Sequence, residues 1–288
     1  MLDKVRPDAL IIAAPNALHL PIALDAIARG IPVLVEKPIA ASVAEGEEIS
    51  RAARAAGVPV LVGHHRRHNP IIAEAKKLID AGALGRLVTA TVLYTFLKPL
   101  DYFDLEWRRR PGGGPVLINL VHEIDLIRHL CGEIASVQAL TSNASRGFEV
   151  EDTGAALLRL VNGALVTLAV SDAAVTPWSW DLASGESALF PPQPERVQTH
   201  FLSGADGSLA LPTLDLWTYG GAKGWMQPMS RTRHAAPPGD PYAAQLVHFR
   251  RVARREEAPL ISAEEGVRTL RAVLAVHEAA RSGARVDL

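Results

Sequence analysis

The sequence predicts an α/β region followed by an α+β region, that is, a parallel sheet and then an open, largely antiparallel one. Near the start, short apolar segments rich in valine and isoleucine alternate with helix-like segments. Such alternation with short loops is typical of a parallel sheet with right-handed crossovers. Further along, segments such as residues 86–97 alternate apolar and polar side chains, as half-exposed strands do. We place the division between residues 1–85 and 86–288.

The first part is predicted to hold three strands and two intervening helices. The strands are placed at residues 9–14, 33–35 and 60–62, and the helices end near Ala28 and Ala56. Ser42 and Glu45 have the spacing of a capping box, so the second helix is expected to begin there. Gly30 and Gly57 stand where a glycine commonly ends a helix.

The second part begins with a helix at residues 71–81 and a long strand at 86–97, and a further helix is predicted at 115–130. Later strands are predicted at residues 136–140, 154–160, 164–170 and 208–211, and two closing helices at 242–254 and 263–280. Asn162-Gly163 is a strong two-residue turn signal, so the strands on either side of it should form a hairpin.

Composition narrows the function classes. The formal net charge of -1 gives no basic field for nucleic acid or an anionic membrane. Cys131 is the only cysteine, so no intrachain disulfide can form; it is expected to be a buried small hydrophobe rather than a nucleophile. The chain begins without the layout of a signal peptide and has no apolar run long enough to span a membrane. We therefore predict a cytoplasmic protein without a nucleic-acid or membrane partner.

Polar segments follow the three predicted parallel strands directly: Pro15–His19, Glu36–Pro38 and Gly63–Pro70. Ligands of parallel α/β sheets bind outside the carboxyl ends of the strands. A lysine at such a strand end is partly desolvated, which lowers its pKa and lets it exchange protons near neutrality. Lys37 is therefore a candidate catalytic residue, although Glu36 and Lys37 could equally form a solvated pair.

The segment Pro111–Asp125 (PGGGPVLINLVHEID) is the other candidate for chemistry. Its three glycines allow a sharp turn or a close approach to a ligand. Asn119, His122 and Asp125 follow at spacings of three, which places them on one side of a helix. A histidine there can act as acid or base, whereas a lone helix histidine is more often packed or solvated.

Two further clusters have more than one interpretation. His64, His65 and His68 could bind a metal ion, but neighbouring residues of a strand point to opposite faces, and we predict no metal site. Trp107 and Arg108 could be a core anchor or a stacking and anion-binding pair.

With PNALH, VEKP and GGG…HxxD in this order, the chain resembles the glucose–fructose oxidoreductase / inositol dehydrogenase / MocA (Gfo/Idh/MocA) family. The resemblance extends over nearly the whole chain. It implies a Rossmann domain, here partial, followed by a substrate-binding and oligomerisation domain. It also implies an NAD(P)-dependent oxidoreductase that acts on a secondary alcohol or ketone of a sugar, polyol, cyclitol or cis-dihydrodiol. A homo-oligomer, dimer or tetramer, formed through the open sheet is implied as well.

The resemblance assigns roles to individual residues. Lys37 matches the lysine that contacts the substrate hydroxyl, and His122 matches the acid/base histidine. The implied cofactor-binding residues, for NAD or NADP, are Pro15, Asn16, His19, Glu36, Lys37, Trp107 and Arg108. The implied substrate-binding residues are Lys37, Arg67, Asn119, His122 and Asp125.

The chain departs from the family pattern at two places. Ile118 stands four residues before His122, where many members of the family have an aspartate, so proton transfer would rest on Lys37 and His122. No GxGxxG is present, although the family opens with strand, glycine-rich loop and helix. We therefore expect a shortened chain in which the first βαβ unit is missing and the 9–14 strand has an unpaired edge. The alternative function is a non-catalytic binding or assembly protein that no longer binds cofactor.

Overall fold

The structure is a computed structural model that describes residues 2–191 and 193–288. Its internal contacts divide the chain into two compact units. The first unit contains the residues up to His68 together with Asp240–Arg271. The second unit contains Asn69–Gly239 and Ala272–Leu288. No helix in the described part of the chain is long and apolar enough to cross a membrane.

The first unit is built on a three-stranded parallel sheet in the order β1-β2-β3. The strands are β1 (Leu10–Ile12), β2 (Val33–Val35) and β3 (Val60–Val62), with Ile12 opposite Val35 and Val35 opposite Val62. All residues of β2 and β3 are buried, as expected of strands covered on both faces. The prediction of a parallel sheet is confirmed, and β1 is shorter than the predicted 9–14 strand.

The helices of this unit are α1 (Leu2–Val5), α2 (His19–Ala28), α3 (Val43–Ala56), α8 (Pro241–Ala253) and the start of α9 (Ala263–Ser282). The predicted cap is present, since Ser42 Oγ accepts a hydrogen bond of 3.3 Å from the backbone N–H of Glu45. Gly57 ends α3 in the left-handed conformation, with φ of 61°. Next to β3, the backbone N–H of Val62 donates to Ile261 O at 2.9 Å, just before α9.

The second unit is built on a nine-stranded sheet in the order β11-β10-β9-β8-β4-β7-β6-β5-β12. The strands are β4 (Leu87–Thr95), β5 (Ile134–Ser142), β6 (Thr153–Leu160), β7 (Leu165–Ser171), β8 (His200–Gly204), β9 (Gly207–Leu211), β10 (Asp215–Tyr219), β11 (Met229–Arg233) and β12 (Val286–Asp287). All neighbouring strands are antiparallel except β4 and β7, which run parallel. The predicted hairpin at Asn162-Gly163 joins β6 and β7.

One face of this sheet carries the core of the second unit. Its helices are α4 (Pro70–Asp80), α5 (Pro115–Ile118), α6 (Leu120–Cys131), α7 (Trp180–Ser184) and the later part of α9. Apolar side chains of α4, α6 and α9 join those of the central strands in a single buried cluster. Every second side chain of the same strands points to the opposite face. That face remains accessible, as the alternating burial of β6 and β7 shows.

The predicted helix at residues 115–130 is interrupted at Asn119. Asn119 has φ of -109° and ψ of -50°, and it separates α5 from α6. The backbone N–H of His122 donates to Asn119 O at 3.1 Å, so α6 starts directly from this residue. The interruption puts the side chain of Asn119 at a helix start instead of within a continuous helical face.

Candidate functional site

In the first unit, the segments that follow β1 and β2 are joined by one histidine. His19 is fully buried, with its Nε2 2.9 Å from Ala14 O and its Nδ1 3.0 Å from Pro38 O. The backbone N–H of Glu36 also donates to Ile12 O at 2.9 Å. The carboxyl edge of the sheet is therefore held together by buried polar contacts, and His19 contributes to it as a bridge between two loops.

Glu36 and Lys37 follow the buried β2 directly and are both half-buried. The carboxylate of Glu36 lies against Gly63, where a Cβ would come within 3.1 Å of it. The backbone N–H of Lys37 donates to Glu36 Oε2 at 3.3 Å. Glycine at position 63 thus leaves the space in which the carboxylate rests beside the lysine.

Pro15 and Asn16 follow β1 at the same edge of the sheet. Pro15 is exposed and Asn16 is half-buried at the start of the 3-10 turn Asn16–Leu18. A half-buried amide and a half-buried carboxylate at the ends of adjacent parallel strands are groups that bind the hydroxyls of a nucleoside.

The histidine-rich segment after β3 packs within the first unit. His65 stacks on Tyr242, with ring centroids 4.2 Å apart, and the rings of His68 and His248 lie 5.2 Å apart. Arg67 is 7% exposed and pairs with Glu265 at 3.3 Å. Among residues 2–191 and 193–288, no group of three or more histidine, cysteine, aspartate or glutamate residues could hold a metal ion.

In the second unit, the glycines make room for neighbouring protein groups. A Cβ on Gly113 would lie 2.4 Å from Trp107 O, and one on Gly114 would lie 2.3 Å from Glu151 Oε1. Glu151 Oε1 in turn accepts a hydrogen bond of 3.1 Å from the backbone N–H of Val116 at the start of α5. Burial raises the pKa of the Glu151 carboxyl. The glycine run thus packs the Trp107 segment and α5 closely together.

Trp107 and Arg108 lie in the 3-10 segment Glu106–Arg109. Trp107 is 53% exposed, so it is not a core anchor. The guanidinium of Arg108 stacks on Tyr102, with Cζ 3.9 Å from the ring centroid, and Nη1 donates to Tyr102 O at 2.7 Å. The arginine is held in place by its own unit, while the neighbouring indole remains accessible.

The helix α6 carries His122 and Asp125, and Asn119 precedes its first residue. His122 is 7% exposed and Asp125 is 1% exposed, whereas Asn119 is half-buried. The backbone break therefore leaves the amide as the more accessible of the three side chains.

A buried lysine that the sequence analysis missed contacts Asn119. Lys98 is 5% exposed, and its Nζ donates to Asn119 Oδ1 at 2.8 Å and lies 3.3 Å from Asp172 Oδ2. The guanidinium of Arg146 pairs with the same aspartate at 3.1 Å and donates to Lys98 O at 2.9 Å. Burial lowers the pKa of Lys98, and the carboxylate of Asp172 opposes that shift.

One signal could have indicated this cluster. Lys98 follows β4 and Asp172 follows β7, and these two strands run parallel. The rule that polar groups gather at the carboxyl ends of parallel strands applies here too. This rule applies only once the strand pairing is known, and the parallel pairing of two distant strands is not visible in the sequence.

Cys131 is buried and unpaired by any disulfide, at the end of α6. Burial raises the pKa of its thiol to about 12, so it is not a thiolate nucleophile at neutral pH.

Comparison with known proteins identifies the family. A family model described as "Oxidoreductase family, NAD-binding Rossmann fold" matches residues 1–64. A second model, "GFO/IDH/MocA C-terminal domain", matches residues 72–189, so the two together match more than half of the chain. The chain belongs to the Gfo/Idh/MocA oxidoreductases. The family resemblance and the fold class predicted from the sequence are both confirmed. The chain is an oxidoreductase whose cofactor is NAD or NADP.

Several named proteins are similar to the chain. The 1,5-anhydro-D-fructose reductase of Ensifer adhaerens is 28% identical over 98% of this chain and 80% of its own length. The inositol 2-dehydrogenase of Mycolicibacterium gilvum is 34% identical over 54% of this chain and 44% of its own length. The crystal structure of the WlbA dehydrogenase of Bordetella pertussis, in complex with NADH and UDP-GlcNAcA, has a TM-score of 0.77 and 27% identity, and the match covers 100% of this chain and 81% of that one.

The carboxyl edge of the first unit fits the nicotinamide nucleoside half of such a cofactor. Its polar side chains, Asn16, Glu36 and Lys37, are half-buried, and a buried histidine bridge stabilises the loops that carry them. The 288 residues contain no GxGxxG loop for the pyrophosphate. Asn16, Glu36 and Lys37 supply an amide, a carboxylate and an amine, groups that can hydrogen-bond to the hydroxyls of a ribose.

Proposed function

We propose that the chain catalyses hydride transfer between NAD or NADP and a secondary alcohol or ketone of a sugar, polyol, cyclitol or cis-dihydrodiol. The observation that carries the proposal is Lys37, a half-buried lysine that directly follows a buried strand within the region matched by the NAD-binding model. Relatives named for a sugar-derived ketone and for inositol support the substrate class.

The catalytic residues are Lys37 and His122. Bound oxidised cofactor would accept the hydride from the carbinol carbon of the substrate. In that direction the neutral amine of Lys37 takes the proton of the substrate hydroxyl, and in the reverse direction the ammonium returns it to the carbonyl oxygen. His122, in the second unit, is the other residue to which we assign acid/base chemistry. Because Ile118 supplies no carboxylate, these two side chains carry the proton transfer.

The cofactor-binding residues are Asn16 and Glu36, which bind ribose hydroxyls, and Pro15, which contacts the nicotinamide. His19 supports cofactor binding indirectly, because it stabilises the two loops that it bridges. The exposed indole of Trp107 and the guanidinium of Arg108 provide a stacking surface and a positive charge for the cofactor.

The substrate-binding residues are Lys37, Asn119 and His122, with Asp125 and Arg67 in support. Asp125 lies one turn after His122 on α6 and is almost fully buried, so it holds its neighbours rather than touching the substrate. Arg67 supports substrate binding indirectly, through its ion pair with Glu265.

The direct test uses the 288-residue protein. Calorimetric titration with NADH and NADPH should show one site per chain for at least one of them. Absorbance of the reduced nicotinamide should then report turnover with myo-inositol, D-xylose or 1,5-anhydro-D-fructose. Absence of binding by both cofactors would contradict the proposal and favour the alternative, a non-catalytic binding protein.

We also propose that the chain forms a homo-oligomer through the open sheet face. This face carries five apolar side chains that are between 37% and 73% exposed: Leu140, Leu157, Leu165, Phe201 and Trp217. Exposed apolar side chains on one face of a sheet are compatible with an interaction between copies of the chain. Light scattering should report a dimer or tetramer, and Leu157→Arg should yield a monomer, whereas Val175→Arg, at an exposed position outside the strands, should not.

The single buried cysteine is compatible with a reducing compartment, and we assign the chain to the cytoplasm.

A further inference from the structure

We propose that Asn119 recognises a pair of neighbouring substrate hydroxyls, and that Lys98, Tyr94 and Asp181 position it for this task. This inference rests on the proposed function and deepens it, because it names the group that distinguishes one polyol from another in the second unit. The three positioning residues form one hydrogen-bonded chain with the amide of Asn119.

The hydrogen-bonded chain that runs from Lys98 to Asp181 contains three consecutive hydrogen bonds. Lys98 Nζ donates to Asn119 Oδ1 at 2.8 Å. Asn119 Nδ2 donates to the hydroxyl of Tyr94 at 3.1 Å. The hydroxyl of Tyr94 donates to the carboxylate of Asp181, near the start of α7.

The charges at the two ends give every bond the same direction. An ammonium can only donate, so it faces the oxygen of the amide and not its nitrogen. An ionised carboxylate can only accept, so the tyrosine hydroxyl must donate to it and remains an acceptor for Asn119. The amide is held between these two constraints and has one orientation.

The lysine end of the hydrogen-bonded chain is itself anchored. Asp172 lies 3.3 Å from Lys98 Nζ and is also bound by Arg146, and the ring of Tyr102 lies 4.8 Å from the same ammonium. Lys98 is 5% exposed and Tyr94 is fully buried. Hydrogen bonds that involve charged groups in such surroundings are stronger than those between neutral groups in water.

The amide retains capacity for a ligand. Asn119 is half-buried at the start of α6, three residues before His122. Its amide carries two N–H groups and an oxygen with two lone pairs, and the two bonds of the chain use one of each. One N–H and one lone pair remain, in one plane and at a fixed orientation.

That pair of groups complements two neighbouring hydroxyls. One hydroxyl can donate to Oδ1 while the next accepts from Nδ2. A site that hydrogen-bonds a substrate hydroxyl discriminates against an analogue that lacks the hydroxyl, because the remaining N–H or lone pair of the amide then loses its ligand partner. An amide that could rotate would offer either end and would discriminate less.

The first experiment reads the orientation without any turnover. The chain has five asparagines, so protein labelled with ¹⁵N-asparagine gives few side-chain amide signals, and Asn119→Asp identifies the pair that belongs to Asn119. We expect this pair to exchange slowly with water in the unmodified protein. In Lys98→Met this amide pair should exchange at least about tenfold faster, because the hydrogen-bonded chain has lost its charged donor. Unchanged exchange in Lys98→Met would overturn the positioning role.

The second experiment separates positioning from general stability. With a polyol that the protein oxidises, Lys98→Met and Tyr94→Phe should raise KM about tenfold while kcat stays within about threefold. Thr199→Val is the matched control, since it removes another fully buried hydroxyl, which lies 2.9 Å from His200 Nδ1. Thr199→Val should lower stability without raising KM.

Recognition of two hydroxyls has its own readout. Unmodified protein should prefer myo-inositol over a deoxy analogue that lacks one of two neighbouring hydroxyls, and Asn119→Ala should reduce that preference at least about tenfold. A preference that survives in Asn119→Ala overturns the recognition role. If the unmodified protein oxidises no polyol, the proposed function fails, whereas the amide exchange still decides whether Asn119 is fixed.

Discussion

Glu123 and His200 form a hydrogen bond in the core of the second unit, with 2.7 Å between Glu123 Oε2 and His200 Nε2. Glu123 is 0% exposed and His200 is 1% exposed, and Thr199 Oγ1 lies 2.9 Å from the other ring nitrogen. The bond joins α6 to β8 one residue away from His122. It therefore ties the helix that carries the candidate acid/base to the sheet beneath it.

Loss of this bond should destabilise the protein strongly. His200→Ala removes a partner of a fully buried carboxyl group and opens a cavity, so the free energy of unfolding should fall by about 3–5 kcal/mol. Urea denaturation measures it. In the variant that also carries Glu123→Gln, much of that loss should be recovered. If His200→Ala lowers the free energy of unfolding by less than about 1 kcal/mol, the bond does not contribute substantially to stability.

The bridge made by His19 should affect both stability and cofactor binding. His19→Ala removes two polar contacts to the loops after β1 and β2, and the free energy of unfolding should fall by about 2–3 kcal/mol. Because those loops carry Asn16 and Lys37, the dissociation constant for NAD(P)H should rise as well. An unchanged dissociation constant would show that the bridge does not shape the cofactor site.

Gly63 and Gly57 offer a matched pair of alanine substitutions. Gly63→Ala brings a Cβ to 3.1 Å from the Glu36 carboxylate, so it should displace that group and weaken cofactor binding several-fold with little loss of stability. Gly57 faces open space but has φ of 61°, so Gly57→Ala should cost about 1 kcal/mol and leave cofactor binding unchanged. The opposite pattern, with binding lost in Gly57→Ala, would contradict the placement of the cofactor edge.

His68 should make stability depend on pH. Burial, followed by the positive charges of His248, His65 and Arg67, lowers its pKa from 6.5 to about 4. As the pH falls through this window, the unfolded chain takes up a proton that the folded chain does not, so the free energy of unfolding falls. The loss from this group should be about 2 kcal/mol, and His68→Phe should remove it. Urea denaturation near neutral pH and near pH 4.5 measures the difference; equal pH dependence in both proteins would contradict the assignment.

The features predicted correctly depend on local patterns. The strands at Val33–Val35 and Val60–Val62 are continuous apolar runs, and the cap at Ser42 is a short-range signal, so each could be identified without knowing the rest of the fold. Lys37 became a candidate because polar residues follow a buried strand directly. Its half-buried position in the structure agrees with the physical basis of that inference.

The features that were missed depend on contacts between distant parts of the chain. Lys98 follows an ordinary alternating strand, and only the parallel pairing of β4 with β7 brings Asp172 to it. The helix break at Asn119 lacks a proline or glycine that would indicate it. The return of Asp240–Arg271 to the first unit likewise has no local signal.

The role of Lys37 in proton transfer is the central claim, and single-turnover hydride transfer tests it most directly. In protein saturated with cofactor and an oxidised polyol, Lys37→Ala should slow transfer by at least about a hundredfold. Lys37→Arg should be nearly as slow, because a guanidinium keeps the charge but does not give up its proton. Lys77→Ala, whose side chain is 75% exposed on α4, should match the unmodified protein. Transfer in Lys37→Ala within about twofold of the unmodified rate would contradict the account.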